Sequence, residues 1–222
     1  MDYANHDQTM YEYYNKRAPI FDEKYDFNRP DYGPALREMA GAVVEALKGR
    51  RVLEVAAGTG IWTRVASACA VSITATDATP ATLAEAREKF KDNPRVSLVQ
   101  ADAYRLQDLP GSFDGGLAVQ WFSHVPKQRY GEFFESFHGC LTKGAVVFVA
   151  DSSAEAVMPM GTYSRLGQPD TYQQRQLPDG STYEIIKNFF SVEDLLRIFG
   201  PRSHDLRVGG NTNFWWVTYR VA

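Results

Sequence analysis

Residues 52–60 read VLEVAAGTG, and this stretch decides how the surrounding chain folds. A short apolar run that carries one acid, Glu54, is typical of a buried strand, and Gly58 and Gly60 follow it at once. Glycine has no Cβ, so a ligand can lie against the backbone here, near the positive amino end of the next helix. The stretch therefore predicts a strand, a glycine turn and a helix, with a ligand above the turn.

Strand-like and helix-like segments alternate after this point. The β-prone runs occupy residues 51–55, 71–77, 95–100, 113–119 and 145–151. Helical patterns separate most of them, and the segment PATLAEAREKF has Thr79 in front of it as its cap and proline at its first position. Alternation of this kind predicts a parallel sheet that is covered by helices on both faces.

The two ends of the chain have other patterns. Thr9 and Glu12 have the spacing of a capping box, which predicts a short helix over residues 9–18, and apolar spacing predicts a second helix over residues 34–48. An Asp-Gly turn at 179–180 lies between two β-prone runs and predicts a hairpin. The final segments, HDLRVGG and NTNFWWVTYRVA, predict an antiparallel pair of strands.

Length and charge exclude several classes of protein. A chain of 222 residues suits one α/β domain, and a net charge of −3 argues against a nucleic-acid partner. No apolar run approaches the roughly 20 residues that cross a bilayer, so we expect a cytoplasmic protein with no membrane partner. Cys69 and Cys140 lack the spacing of metal ligands, and we predict no metal site.

The glycine turn alone leaves three ligand classes open: nucleotide phosphates, dinucleotides and S-adenosylmethionine. A dinucleotide fingerprint requires a third glycine where the chain has Thr63, and a phosphate loop requires a Gly-Lys-Ser/Thr segment that the sequence lacks. Asp77 and Asp102 follow the second and third strands. From there, one carboxylate can accept hydrogen bonds from ribose hydroxyls and the other from an adenine amino group. The pair predicts a bound nucleoside.

These motifs resemble those of the class I S-adenosylmethionine-dependent methyltransferases. VLEVAAGTG is similar to the first motif of that family, with Ala56 in place of a glycine. TATDATPATLAEAR resembles the second motif, VQADAYRL the third, and FDGGLAVQWFSHVP the segment around the fourth strand. The resemblance covers essentially the whole chain and is closest to the small-molecule branch that includes ubiquinone and menaquinone biosynthesis enzymes.

The resemblance implies one domain over residues 1–222 with a Rossmann-like α/β fold. We expect a doubly wound, mostly parallel sheet of seven strands that ends in a C-terminal antiparallel hairpin. Helices in residues 1–48 would cover the cofactor and substrate site. Residues 152–190, a hairpin insertion after the fifth strand, would act as a lid or a dimer contact.

The resemblance also implies that S-adenosylmethionine is the cofactor and S-adenosylhomocysteine the product. The methionine part would lie over the glycine turn with Glu54 near its amino group, and Arg17 would pair with its carboxylate. The nucleoside would lie along the strand ends at Asp77 and Asp102. The full set of implied contacts is Tyr14, Arg17, Glu54, Ala56, Gly58, Gly60, Asp77, Ala78, Asp102, Ala103 and Gln120.

Methyl transfer from a sulfonium is an in-line displacement, which positioning and the exclusion of water can largely catalyse. A base is needed only where the acceptor holds a proton, and His124, beyond the fourth strand, is the candidate catalytic residue, although it can also serve as a helix cap. The acceptor pocket is predicted between the N-terminal helices, the loop after the fourth strand and the insertion. Its candidate lining is Phe21, Trp121, Phe122, Tyr163 and Tyr183.

The sequence thus favours a methyltransferase that acts on a small-molecule acceptor as a monomer or homodimer. Two alternatives stay open. A nicotinamide-dependent oxidoreductase would use Asp77 in the same way, but it gives Asp102 no task. A non-catalytic module would bind S-adenosylmethionine and transfer no methyl group.

Overall fold

The strands of the protein form two sheets in a computed structural model that describes residues 3–109, 111–157 and 161–222. The strands are β1 (Arg51–Val55), β2 (Ser72–Asp77), β3 (Val96–Gln100), β4 (Phe113–Val119), β5 (Leu141–Ser152), β6 (Tyr163–Ser164), β7 (Thr171–Gln176), β8 (Thr182–Ile186), β9 (Ser203–Gly210) and β10 (Phe214–Val221). The first five and the last two make up the larger sheet, and β6 to β8 make up the smaller one.

The larger sheet has the strand order β3-β2-β1-β4-β5-β10-β9. Strands β1 to β5 pair in parallel, and β10 runs antiparallel to both β5 and β9. The predicted doubly wound, mostly parallel sheet with a C-terminal antiparallel pair is confirmed. Because β1 lies in its centre with both faces covered, the apolar residues of β1 are fully buried.

Helices flank this sheet on both faces and also cover its carboxyl edge. They are α1 (Tyr3–Arg17), α2 (Gly33–Leu47), α3 (Ile61–Ser67), α4 (Pro80–Phe90), α5 (Tyr130–Gly139), α6 (Ala154–Val157) and α7 (Val192–Phe199), and a 3₁₀ helix (Ala18–Lys24) follows α1. Because α1 begins at Tyr3, Thr9 lies inside it, and the prediction that Thr9 starts this helix is wrong. Ser191 and Asp194 do form a capping box at the start of α7.

Each face of the sheet carries its own apolar cluster. One cluster packs α5 and α7 against the sheet and contains Phe122, Phe199 and Trp215. The other packs α2 and α3 against the opposite face and contains Met39, with Trp216 beside it. The two adjacent tryptophans therefore point to opposite faces, as the alternation of side chains along a strand requires.

The smaller sheet is antiparallel and packs on the N-terminal helix. Met10 and Tyr13 of α1 meet Leu177 and Ile185 in a separate apolar cluster. The insertion is therefore held to α1 within the same chain. Residues 158–160 of the insertion lie outside the described residues, and its action as a lid or a dimer contact stays a prediction.

The described ranges contain neither a candidate membrane span nor a candidate metal cluster. No helix in them is long and apolar enough to cross a membrane. No group of three or more His, Cys, Asp or Glu side chains in those ranges is arranged to hold a metal ion. Cys69 and Cys140 are half-buried free thiols.

The glycine turn, residues 56–60, holds three residues in the left-handed region. The φ angles are 53° at Ala56, 59° at Gly58 and 86° at Gly60. A Cβ at Gly60 would lie 2.5 Å from Cε2 of Phe90, so α4 requires glycine there. Ala56 carries a Cβ in a conformation that costs about 1–2 kcal/mol for a residue other than glycine. The turn is therefore strained at Ala56.

We expect Ala56→Gly to raise the free energy of unfolding by about 0.5–1 kcal/mol, because relief of the left-handed strain exceeds the added entropy of the unfolded chain. Urea unfolding measures the difference. Ala84→Gly, at an exposed position in α4, is the control and should lower the free energy of unfolding by about 1 kcal/mol. An equal loss in both variants would show that Ala56 is not strained.

Candidate functional site

A cavity of about 510 Å³ opens at the carboxyl ends of β1 to β4. The glycine turn forms part of its wall, and the residues that follow β2, β3 and β4 form another part. A cover closes it from above, and this cover consists of α1, the 3₁₀ helix and strands β7 and β8. Open α/β sheets bind ligands where the strand order reverses, which here is between β1 and β4. The cavity has the size of a small-molecule site.

Most residues that the sequence singled out lie on the wall of this cavity. Among the predicted cofactor contacts these are Tyr14, Arg17, Ala56, Gly58, Asp77, Ala78, Asp102, Ala103 and Gln120. Phe21, Trp121 and His124 also line it. Glu54 is buried beneath the turn and Gly60 is buried at its end, and neither is part of the wall.

Three predicted acceptor contacts lie away from the cavity. Phe122 is fully buried among aromatic rings on the α5 side of the sheet. Tyr163 is exposed on β6, where its hydroxyl donates to Glu184. Tyr183 is half-buried on β8 and packs against Tyr13 of α1. The structure does not bring these three side chains to the wall.

Asp77 joins the glycine turn to α4. Its Oδ2 accepts a hydrogen bond from the Gly58 amide at 2.8 Å, and its Oδ1 accepts from the Thr79 amide at 2.8 Å and from Thr82 Oγ1 at 3.1 Å. Thr79 is the N-cap residue of α4, as predicted, but its side chain makes no capping hydrogen bond. Burial raises the pKa of Asp77, and these donors oppose the rise. Asp77 also lines the cavity.

Asp102 lies at the end of the neighbouring strand. Its Oδ1 accepts from the Tyr104 amide at 2.9 Å, and the side chain is half-buried on the cavity wall. Because β2 pairs in parallel with β3, Asp77 and Asp102 reach the same edge of the sheet. The structure thus brings together the two acids that the sequence placed at strand ends.

Glu54 is held below the turn by a contact that the sequence analysis missed. Thr63 Oγ1 donates a hydrogen bond of 2.7 Å to Glu54 Oε2. Both side chains are buried, and burial raises the pKa of Glu54 to about 8. The residue that departs from the dinucleotide fingerprint is therefore a donor to the acid in β1. The sequence signal that could have predicted this contact is the threonine at this position of α3.

The raised pKa makes stability depend on pH. Between about 4.3, the value in an unfolded chain, and about 8, the folded protein keeps a proton on Glu54 that the unfolded chain releases. The contribution of Glu54 to the free energy of unfolding therefore falls as the pH rises through that window. The glutamine of Glu54→Gln cannot ionise. The free energy of unfolding of this variant should therefore fall less steeply with pH, and the two slopes should differ by up to about 1.4 kcal/mol per pH unit.

Urea unfolding between pH 5 and pH 8 measures this slope. Glu85→Gln, at an exposed position in α4, is the matched control and should keep the slope of the unmodified protein. If Glu54→Gln also keeps that slope, Glu54 ionises normally in the folded state and the assignment is wrong.

His124 is fixed at both ring nitrogens. Its Nδ1 lies 2.6 Å from the carbonyl oxygen of Ile186, which can only accept, so Nδ1 carries the proton. Its Nε2 lies 3.1 Å from the Tyr14 hydroxyl and accepts from it. Burial, with the positive charge of Lys187, holds the pKa of His124 well below its usual value. The imidazole is therefore neutral near pH 7.

A buried ion pair supports this part of the cavity. Lys187 Nζ lies 2.8 Å from Asp151 Oδ1 and donates to Ser123 Oγ at 2.7 Å, and the Ser123 amide donates to Asp151 Oδ2 at 2.9 Å. Lys187 also lines the cavity. The sequence analysis missed this pair because its partners lie in β5 and after β8, and only tertiary contact joins them.

Two neighbouring side chains on the wall have unsatisfied polar atoms. Gln120 has a φ angle of 60°, and its Nε2 is buried without a hydrogen-bond partner among the described residues. The indole Nε1 of Trp121 is in the same state within those ranges. Strained backbone and unpaired buried donors concentrate at functional sites. Both donors suit a ligand that brings acceptor groups into the cavity.

Comparison with known proteins identifies the domain. Residues 52–144 match a family model described as a methyltransferase domain. These residues include the glycine turn and both acids, on a sheet with the strand order given above. This match and the solved structures described next support a class I S-adenosylmethionine-dependent methyltransferase domain. No curated protein sequence matches the chain.

Solved structures share the fold of this chain over nearly its whole length. DhpI in complex with SAH has a TM-score of 0.73 and 27% identity, over 97% of this chain and 96% of DhpI. DhpI with SAM and HEP gives 0.76 and 26%, over 97% of each chain. The [4+2]-cyclase SpnF gives 0.67 and 16%, over 95% of this chain and 94% of SpnF. The resemblance to the ubiquinone branch stays a prediction.

Proposed function

We propose that this protein binds S-adenosylmethionine in the cavity and transfers its methyl group to a small-molecule acceptor. The observation that carries the proposal is the convergence of the glycine turn, Asp77 and Asp102 on one cavity. The complexes of DhpI with SAH and SAM support the choice of cofactor. When bound, the cofactor supplies an electrophilic methyl group on a sulfonium.

The residues present fit this cofactor. Asp77 would accept from the ribose hydroxyls, and Asp102 with the Ala103 backbone would read the adenine edge. Gly58 leaves room for the methionine part, since the nearest atom to a Cβ there would be Phe21 Cε1 at 3.9 Å. Arg17 Nη1 donates to the Tyr13 hydroxyl at 3.0 Å, and this contact would orient the guanidinium toward the cofactor carboxylate.

The cover would bind the acceptor and exclude water. Phe21 and Trp121 give this part of the wall an apolar surface, and the hydroxyl of Tyr14 points to His124. A general base works best when its pKa is near the operating pH, and the pKa of His124 lies far below it. We therefore assign His124 the role of a neutral hydrogen-bond acceptor that positions Tyr14.

Calorimetry with S-adenosylhomocysteine tests the cofactor. Asp77→Asn keeps the side-chain shape but loses the charge, and we expect it to weaken binding by about 1.5–3 kcal/mol, or tenfold to more than a hundredfold in Kd. Asp92→Asn, at an exposed position, should bind as tightly as the unmodified protein. Absence of binding by the folded, unmodified protein would refute the proposed cofactor, and an unchanged Kd in Asp77→Asn would move the ribose contact elsewhere.

The pH dependence of kcat tests the role of His124. Between pH 6 and pH 9 the unmodified protein should show no inflection from this residue, because its pKa lies below that range. His124→Gln and Tyr14→Phe should lower kcat by about tenfold or less, whereas loss of a general base costs about 10²–10⁴. An inflection that disappears in His124→Gln would restore His124 as the base.

The same preparations separate the two alternative functions. An oxidoreductase would bind reduced nicotinamide, which energy transfer from protein tryptophan to the ligand reports. A non-catalytic module would bind S-adenosylhomocysteine but would transfer no labelled methyl group to any acceptor in a metabolite screen. The cyclase SpnF shows that proteins with this fold include one named for a different reaction, so turnover must be measured directly.

A further inference from the structure

Cationic side chains converge where the cover meets the cavity. Arg17 ends α1, Lys24 ends the 3₁₀ helix, Arg175 lies on β7 and Lys187 follows β8, and all four line the cavity. We refer to these four residues as the cation cluster. All of them lie outside residues 52–144, the part that matches the methyltransferase domain.

The members of the cation cluster act on one another. Burial lowers the pKa of Lys24 well below its usual value, and the positive charges of Arg17, Lys187 and Arg175 lower it further. Lys187 and Arg175 also help to lower the pKa of His124. Like charges that are close enough to shift one another's pKa repel each other. The cation cluster is therefore unfavourable unless an anion binds beside it.

Acidic side chains neutralise only part of this charge. Lys187 is paired with Asp151 at 2.8 Å. Neither Arg17 nor Lys24 forms a salt bridge within the described part of the chain. Lys24 Nζ lies 4.6 Å from the ring centroid of Tyr25 instead. An aromatic face attracts a cation weakly and leaves its charge in place.

A fifth cation on the wall, Arg29, is different. Arg29 also lines the cavity, and its guanidinium is paired with Asp31 at 2.6 Å. Among these cations of the described wall, Arg17 and Lys24 are therefore the ones whose charge no salt bridge neutralises.

The proposed cofactor does not supply the missing negative charge. S-adenosylmethionine carries one carboxylate, one ammonium and one sulfonium, so its net charge is positive. If its carboxylate pairs with Arg17, its other two charges add to those of Lys24 and Arg175. The bound cofactor would therefore increase the need for an anion beside it.

On the basis of the proposed function, we propose that the methyl acceptor carries an anionic group, a carboxylate or a phosphoryl group, which Lys24 and Arg175 bind with support from Lys187. Arginine presents a planar fork that fits both oxyanions, and lysine adds a point charge. The anionic group anchors the acceptor under the cover. Specificity for the acceptor then comes from the elements outside the matched domain.

Anion binding to the cofactor-loaded protein tests the cation cluster. The protein is first titrated with S-adenosylhomocysteine and then, at saturation, with inorganic phosphate and with acetate, by calorimetry. We expect Lys24→Met to weaken binding of the preferred anion at least tenfold, because it keeps the apolar stem and loses the charge. Lys24→Arg should stay within about threefold of the unmodified protein because it keeps the charge.

Lys48→Met is the matched control, since Lys48 is exposed and is not part of the cavity wall. It should bind both anions as the unmodified protein does, and thermal unfolding checks that each variant folds. The proposal is overturned if neither anion binds, or if Lys24→Met binds them equally well. It is also overturned if Lys24→Met loses affinity for S-adenosylhomocysteine instead, because Lys24 would then serve the cofactor.

Turnover identifies the kind of anion. Labelled S-adenosylmethionine is offered with matched sets of small carboxylates, phosphate monoesters and neutral amides. Methyl transfer to one anionic set, with a KM that rises at least tenfold in Lys24→Met, supports the proposal and names the group. Transfer to the amides alone contradicts it. Failure to bind S-adenosylhomocysteine would instead refute the proposed function, and phosphate and acetate titrations of the cofactor-free protein would still test the cluster.

Discussion

The carboxylate of Asp77 is the contact on which the arrangement of the site depends. It accepts from the Gly58 amide of the glycine turn and from the first residues of α4, so it fixes the turn against the next strand and helix. The strained turn at Ala56 and the close packing of Gly60 on Phe90 persist because this contact holds both sides. The same residue lines the cavity, so the group that stabilises the turn also presents an acceptor to a ligand.

The cavity is built from two parts of the chain with different properties. Residues 52–144, which match the methyltransferase domain, contribute the glycine turn and the two acids. The cover contributes aromatic rings and the cation cluster, and it is held together by apolar contacts between α1 and the smaller sheet. Lys187, which follows β8, joins the two parts because it donates to Ser123, and its buried pair with Asp151 supports this contact. This division separates the proposed recognition of the cofactor from that of the acceptor.

Sequence patterns predicted the larger sheet and its edge well. The ranges of β1 and β4 agree residue for residue with the predicted runs, because apolar runs between turn residues identify buried strands. Patterns predicted aromatic acceptor contacts less well. Phe122 follows Trp121 directly, yet only Trp121 reaches the cavity, because a short 3₁₀ turn over Phe122–His124 directs the adjacent side chains apart. Tyr163 and Tyr183 lie in the insertion, whose packing on α1 depends on contacts between distant segments.

The sequence by itself determined the class of fold and the edge of the sheet where a nucleoside would lie, because strand periodicity and the spacing of Gly58, Asp77 and Asp102 are local properties of the chain. Only the tertiary structure decided what surrounds the acceptor. Lys24 and Lys187 are far apart in the sequence and have no pattern in common. Both line the cavity because the cover closes over it, and no single segment of the sequence shows that these charges share one cavity.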